Sequence, residues 1–125
     1  MVAVEVSNRS GVAVEEAAAV ELARRVLAEE GVDQGDLGLV FVGPEEIRGL
    51  KREHLGIDEH TDVLSFPIDG RERIPDGVPR QLGDAVLCPQ VVGEEWPGAL
   101  VHGVLHLLGY EHGAEMEARE ARWRR

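Results

Sequence analysis

The sequence is poor in cysteine and in basic charge, and each shortage excludes a class of protein. Its 125 residues include one cysteine, Cys88, so no internal disulfide can form. Lysine and arginine number 13 against 24 acidic residues, for a formal net charge of -11. A general nucleic-acid coat protein is thereby excluded, because neutralising phosphates requires clustered Lys and Arg. Any contact with a nucleic acid has to be local.

Long hydrophobic runs are also missing. No uninterrupted apolar stretch approaches the roughly 20 residues that a membrane-spanning helix needs. The N-terminal segment MVAVEVSNRS lacks the basic start and the apolar core of a secretory signal. We therefore expect a cytoplasmic protein without a membrane partner, and its length predicts a single domain over residues 1–125.

Hydrophobic periodicity predicts strands and helices along the whole chain. Alternating valines favour a strand over residues 2–6, and an alanine-rich run that stops at Gly31 favours a helix over 14–30. The other predicted elements are strands over 37–42, 61–66 and 83–88, a helix over 44–55, a loop over 68–81, a buried helix from Pro97 and a last helix over 114–123.

Three of the five histidines fall in the segment HGVLHLLGYEH, residues 102–112. His102 and His106 are four residues apart on the buried helix, so both imidazoles leave the same face about one turn apart. Gly109 lies one turn further and can take the left-handed conformation that ends a helix, which allows the chain to double back. The spacing predicts that His112 returns to the same point and that the three side chains bind one metal ion.

Three imidazole ligands predict a catalytic rather than a structural metal site. At about 2.0–2.1 Å from zinc they leave the fourth tetrahedral position open for water, whereas structural sites are usually closed by cysteine. Bound zinc lowers the pKa of water to about 7 and polarises a carbonyl or phosphoryl oxygen. We therefore expect a metal-dependent hydrolase with one zinc ion per chain; ligand type alone favours zinc over nickel or iron.

The same histidine spacing occurs in the metzincin peptidases, where the residue after the first histidine is a glutamate that acts as general base. That residue is Gly103 here, so a peptidase would need another carboxylate, of which Glu111 is the nearest in sequence. Phosphodiester cleavage depends less on this carboxylate, because metal-bound hydroxide and substrate oxygens can share the proton transfer. The histidine motif by itself leaves both reactions open.

Together with TDVLSFP at residues 61–67 and GDAVL at 83–87, the histidine segment resembles the YbeY family of bacterial endoribonucleases and rRNA maturation factors. The three motifs stand in the family's order, and the resemblance runs from about Leu37 to the end of the chain. It implies an α+β fold, with helices packed on a mixed four-stranded sheet and zinc held by the three histidines. It further implies single-strand RNA cleavage in 16S rRNA 3' end maturation and ribosome quality control, with rRNA, the ribosome or its proteins as partners.

The sequence departs from the family pattern at several positions. Leu55 stands where an arginine is usual, Glu111 where aspartate is usual, Cys88 where serine is common and His60 where proline is common. The stretch over 89–98 is shorter than the family's, which predicts a late start for the histidine helix and a narrower wall of the RNA groove. None of these changes touches the expected metal ligands.

Several further residues have two interpretations each. Asp62 and Asp84 either orient an imidazole or the attacking water, or they cap turns, so no catalytic side chain is assigned. Arg52 either contacts phosphate in place of the missing arginine or is a solvated surface residue. The arginines of residues 119–125 either complement the dipole of the last helix or form, with the metal, the basic patch that RNA needs. We interpret His54 and His60 as surface or loop residues, and Trp96 and Trp123 as packing residues.

The resulting hypothesis is a zinc-dependent endoribonuclease in which metal-bound hydroxide attacks an RNA phosphodiester. One alternative is a zinc peptidase with a metzincin-like site. The other is a non-catalytic, ribosome-associated binding module, for which the histidines would be dispensable. Cleavage site, sequence preference, oligomeric state and natural metal are left open by these residues.

Overall fold

The computed structural model describes residues 1–54 and 63–123. Its strands are β1 (Ala3–Asn8), β2 (Asp36–Phe41), β3 (Val63–Pro67) and β4 (Gln81–Leu87). Its helices are α1 (Glu16–Glu29), α2 (Pro44–Glu53), α3 (Pro89–Val92), α4 (Trp96–Leu107) and α5 (Ala114–Ala121). A single 3-10 turn, Gly93–Glu95, joins α3 to α4.

The strands form one mixed sheet in the order β1-β2-β4-β3. β1 pairs parallel with β2, and β2 pairs parallel with β4, whereas β3 runs antiparallel to β4 at the edge of the sheet. The connection from β1 to β2 carries α1, as a parallel pair requires a crossover. The α+β class with a mixed four-stranded sheet, which the family resemblance implied, is confirmed.

Helices cover both faces of the sheet. The larger hydrophobic core joins α1 and α4 to one face. On α1 this core takes the residues at helical spacing, namely Ala19, Ala23, Val26 and Leu27. A smaller core on the opposite face packs Ile47 of α2 against Leu64 and Val86. The sheet is therefore the middle layer, and α1 and α4 pack against each other on one of its faces.

α4 is apolar on nearly every side and is accordingly buried, as its sequence predicted. Leu100, Val101, Val104, Leu105 and Leu107 are each at most 2% exposed. The helix contacts α1, β3 and β4, and a proline lies in its first turn, as predicted. Any side chain on α4 is consequently held by several elements at once.

The predicted element bounds differ from the structure where proline and glycine are dense. Helix α3 is absent from the sequence-based prediction, because Pro89 and Gly93 bracket too few residues to show a helical period. The predicted strand over 61–66 is observed from Val63 onward, and its first two residues lie outside the described ranges. Leu55, at the predicted end of α2, also lies outside them.

Both tryptophans pack against the larger core. Their interpretation as packing residues is therefore confirmed for Trp96 and Trp123. Within residues 1–54 and 63–123, no helix combines the length and the apolar character needed to cross a bilayer.

Candidate metal centre

α4 presents two histidines from its C-terminal half. His102 and His106 are one turn apart, and their ring centroids lie 4.6 Å from each other. His102 is 9% exposed, and His106 is partly buried. Because α4 packs against both α1 and the sheet, the two imidazoles project from a rigid frame, in the arrangement that the four-residue spacing predicted.

The turn after α4 brings the third histidine back to the first two. Gly109 has a φ of +98°, a conformation that favours glycine. The N–H groups of Gly109 and Tyr110 donate to carbonyls three and five residues earlier, the two bonds of a Schellman motif. The ring centroid of the exposed His112 then lies 5.1 Å from that of His102 and 4.8 Å from that of His106.

The three imidazoles converge. One ring nitrogen from each of His102, His106 and His112 can be chosen so that all three atoms lie within 4.8 Å of one another. In the part of the chain that the structure describes, this is the one group of three or more His, Cys, Asp or Glu residues that converges in this way. The structure therefore brings together the three side chains that the motif singled out.

Hydrogen bonds fix the protonation pattern of the two helical histidines. Nδ1 of His106 lies 2.8 Å from the carbonyl oxygen of Tyr110, which can only accept, so this Nδ1 carries a hydrogen. Nδ1 of His102 lies 2.7 Å from Oε2 of Glu120 and donates to that carboxylate. In the neutral rings both Nε2 atoms therefore carry lone pairs, and they face each other 3.1 Å apart.

Two opposed lone pairs require a positive charge between them, which is what a divalent cation supplies. Nitrogen ligands about 2.0–2.1 Å from a tetrahedral zinc ion are separated by about 3.3 Å, close to the observed spacing of the two Nε2 atoms. A proton shared by two rings would also relieve the repulsion, but it would not account for the approach of His112. The residues present thus fit a zinc ion on three imidazoles.

Glu120 contacts one of the three histidines, and the sequence analysis did not single it out. It lies on α5, 18 residues after His102, and its side chain is 18% exposed. The available signal was its register: Met116, Glu120 and Trp123 follow the four- and three-residue steps of one helical face. An acidic residue on the face that packs against the core is a signal that its carboxylate points into the protein.

A second acidic residue, Glu30, anchors the turn that carries Tyr110. The Glu30 side chain is 2% exposed, and its Oε1 accepts from the Tyr110 hydroxyl at 2.7 Å and from Arg71 at 2.9 Å. Arg119 lies 3.5 Å from the other carboxylate oxygen. Burial opposes the charge of Arg71, but its hydrogen bonds with Tyr110 and Glu30 raise its pKa above the ordinary value. Since the Tyr110 carbonyl accepts from His106, these residues connect the histidines to α1.

Gly103 faces the sheet rather than the histidines. A Cβ built on Gly103 would lie 2.9 Å from Val63 Cγ2 and 3.5 Å from the Ala85 side chain. The Ser65 hydroxyl, from the predicted TDVLSFP segment, donates to the Gly103 carbonyl at 2.8 Å. The glycine is thus required by the close approach of α4 to β3 and β4, and a glutamate does not fit at this position.

Asp84 lies on the face of the sheet away from the histidines. It lies within β4 and is exposed, whereas its neighbour Ala85 faces α4. Successive strand residues point to opposite faces, and the Asp84 carboxylate lies over Gly38 of β2, on the face away from the histidines. It therefore does not orient the imidazoles of this centre, and it lies inside a strand rather than at a turn of the described residues. Asp62 and His60 lie outside the described residues.

The remaining candidates are surface residues with protein partners. His54 is exposed and stacks edge-on against Phe66, with ring centroids 4.9 Å apart, in agreement with its interpretation as a surface residue. Arg122 pairs with Glu29 at 2.9 Å. Of the arginines over 119–125, for which a basic patch was one of two interpretations, Arg119 and Arg122 thus contact acidic residues at the end of α1. Residues 124–125 lie outside the described ranges.

Comparison with known proteins identifies the family. The family model described as Endoribonuclease YbeY matches residues 5–124. Endoribonuclease YbeY of Mycobacterium ulcerans is 37% identical over 134 residues, which cover 94% of this chain and 75% of the relative. Endoribonuclease YbeY of Mycobacterium tuberculosis strain H37Rv is 36% identical, covering 94% and 76% of the two chains. The aligned region is longer than this 125-residue chain, so these relatives carry residues that it lacks.

A solved structure supports the fold. The solution structure of TM1509 from Thermotoga maritima covers 95% of this chain and 86% of its own, with a TM-score of 0.55 at 23% identity. The position at which this chain lacks residues that its relatives carry, expected over 89–98, stays a prediction. From the family model and the sequence relatives together, the chain belongs to the Endoribonuclease YbeY family.

Proposed function

We propose that this protein is a zinc-dependent, single-strand-specific endoribonuclease that acts in 16S rRNA 3' end maturation and ribosome quality control. The observation that carries the proposal is the convergence of His102, His106 and His112, with the Nδ1 hydrogens of the first two held by acceptors. Membership of a family whose members are named endoribonucleases supports RNA as the substrate.

The chain's own residues position and orient the proposed metal centre. A bound zinc ion would supply Lewis-acid polarisation of a phosphoryl oxygen and acidify a water molecule. The protein contributes ligand nitrogens at a fixed spacing on the buried α4, where neither imidazole has to reorganise when the metal binds. His112 is exposed, so the third side of the site is open to solvent and to a large substrate such as RNA.

The surroundings of Gly103 favour phosphodiester over peptide cleavage. A metzincin-type peptidase needs a glutamate after the first histidine. In this fold that position is packed against Val63 and Ala85, so no side chain from it can reach a substrate. Phosphoryl transfer relies chiefly on positioning and charge stabilisation, which three fixed ligands and a cation supply.

The place in rRNA maturation rests on the family resemblance rather than on the site's geometry. The net charge of -11 indicates that affinity for RNA depends on a local positive potential, to which a bound divalent cation contributes. Removal of the metal is therefore expected to weaken RNA binding as well as cleavage.

The test compares His106→Ala with the wild-type protein on a short single-stranded RNA containing the 3' end of 16S rRNA. We expect cleavage that needs zinc, is lost with a chelator, is restored by added zinc, and is absent from the variant. His54→Ala is the matched control, because His54 is an exposed histidine stacked on Phe66, and it should cleave as the wild type does.

Three results would contradict the proposal. Undiminished RNase activity in His106→Ala, with contaminating nuclease removed, would exclude the histidine centre from the reaction. Zinc-dependent cleavage of an unstructured peptide library without RNA cleavage would favour the peptidase. A histidine variant that binds RNA as tightly as the wild type and complements in cells would identify a non-catalytic binding module.

A further inference from the structure

We propose that Glu120 is a positioning residue that holds His102 in the orientation and tautomer that metal binding requires. The inference rests on the metal centre of the proposed function, although its test measures metal binding and not RNA cleavage. It assigns a role to α5, which supplies none of the three histidines.

The contact between the two side chains is short and sheltered. Oε2 of Glu120 lies 2.7 Å from Nδ1 of His102, and the two side chains are 18% and 11% exposed. A carboxylate accepts hydrogen bonds and cannot donate them, so the contact keeps the hydrogen on Nδ1. Nε2, the nitrogen that faces His106 at 3.1 Å, is thereby left with the lone pair that binds a metal.

The packing of α5 explains why this carboxylate, and not a neighbouring one, reaches His102. Met116, one turn before Glu120, is 1% exposed, and Trp123, one turn after it, packs against the larger core. Glu115 and Glu117 of the same helix are exposed. In a helix with three acidic residues, the two apolar anchors therefore turn Glu120 alone toward α4.

The two helical histidines are supported in chemically different ways. His106 donates to a backbone carbonyl, that of Tyr110, whereas His102 donates to a full negative charge. A carboxylate partner raises the basicity of the imidazole more than a neutral carbonyl does, and loss of such a partner typically costs about 10–100-fold in metal affinity. Glu120 is thus expected to set affinity through a side chain that does not touch the metal.

The experiment measures zinc affinity by competition with a chromophoric chelator, for untagged wild type, Glu120→Ala and Glu120→Gln. We expect Glu120→Ala to bind about 10–100-fold more weakly. Glu120→Gln retains an oxygen acceptor without the charge, so its affinity should lie between the other two. Glu117→Ala is the matched control, since Glu117 is an exposed acid on the same helix, and its affinity should equal that of the wild type.

Cobalt substitution and thermal unfolding distinguish positioning from general support of the fold. Reorientation of His102 should change the visible d–d spectrum of the Co²⁺-loaded Glu120→Ala protein, while Glu117→Ala leaves that spectrum unchanged. Metal-free Glu120→Ala should show the unfolding temperature of metal-free Glu117→Ala to within a few degrees, so that a loss of affinity is not a loss of folding.

Glu120→Ala with wild-type zinc affinity and an unchanged cobalt spectrum would overturn the inference. An equal loss of affinity in Glu117→Ala would overturn it too, because the effect would then reflect net charge. Failure of the wild-type protein to bind zinc would refute the proposed function and the role of Glu120 together. Normal zinc binding by the wild type without RNA cleavage would leave Glu120 in its role and refute only the nuclease.

Discussion

The candidate metal centre is built from two regions of different character, the buried helix α4 and the exposed turn that follows it. His102 and His106 lie on a helix that packs against α1, β3 and β4. His112 is exposed and reaches the site through a glycine with a positive φ and a cluster around Glu30. The helix thus presents a rigid pair of imidazoles, and the turn presents a third imidazole whose position depends on backbone geometry and on distant hydrogen bonds.

The largest expected effect separates the two regions directly. His106→Ala removes one ligand of the rigid pair and leaves His102 and His112 on different elements. Zinc affinity should therefore fall by more than the roughly 10–100-fold that follows loss of a hydrogen-bond partner of a ligand. His112→Ala leaves the helical pair intact, so this variant should still bind zinc through two ligands, more weakly than the wild type does. Chelator competition measures both, and equal affinities in the two variants would show that the helix offers no preorganised pair.

The close approach of α4 to the sheet can be tested at Gly103. In Gly103→Ala the added methyl group would lie 2.9 Å from Val63 Cγ2, and overpacking of this kind costs about 1–3 kcal/mol of the free energy of unfolding. Gly98→Ala is the control on the same helix, because its Cβ meets nothing within 4 Å. The control should be neutral or gain up to about 1 kcal/mol from helix propensity. Denaturant unfolding of the metal-free proteins measures both, and a Gly103→Ala protein as stable as Gly98→Ala would refute the packing argument.

The turn region depends on the backbone conformation of Gly109. At a φ of +98° an alanine is strained by about 1–2 kcal/mol, although its Cβ would meet nothing within 4 Å. Gly109→Ala should therefore lower stability by about that amount and also weaken zinc binding through His112. Combined with His112→Ala, it should cause no further loss of zinc affinity. A further loss in the double variant would mean that the glycine acts on the helical pair instead.

The smallest effect is expected at the cluster behind the turn. Tyr110→Phe removes the hydroxyl that donates to Glu30 at 2.7 Å and keeps the backbone carbonyl that accepts from His106. Glu30 retains Arg71 and Arg119 as partners, so the cost should be about 1 kcal/mol. Zinc affinity should fall less than in Glu120→Ala. A larger fall would show that the turn, and not the helix, dominates the site.

The same contrast explains how far the sequence predicted the site. The pairing of His102 and His106 follows from the period of the α-helix, because two residues four apart share a face wherever the helix lies. The return of His112 was predictable because Gly109 is a recognisable helix stop. These inferences need no knowledge of the tertiary structure.

The outer partners required the folded chain. Glu120 and Glu30 reach the centre from α5 and from the end of α1, and no local spacing relates either of them to the histidines. For Glu120, the register with Met116 and Trp123 was a usable signal. For Glu30 we find none, because it stands where a helix ends and solvated acids are common. For Asp84 the sequence left its role open, and the structure was needed to show that strand alternation turns it to the face away from the histidines.

Predictability of the fold divides in the same way. The four strands and the longer helices follow from hydrophobic period. The family resemblance implied a mixed four-stranded sheet, but the strand order and the individual pairings required the structure. The four-residue helix Pro89–Val92 is too short for a hydrophobic period to be recognised in its sequence.

The most direct test of the three-histidine centre is the number of metal ions that the untagged protein binds. Native mass spectrometry of protein loaded with zinc and freed of excess should show one ion per chain for the wild type, and none for a variant in which His102, His106 and His112 are all alanine. A wild-type chain that retains no ion, or a triple variant that retains as many ions as the wild type, would contradict the claim that these imidazoles hold one metal.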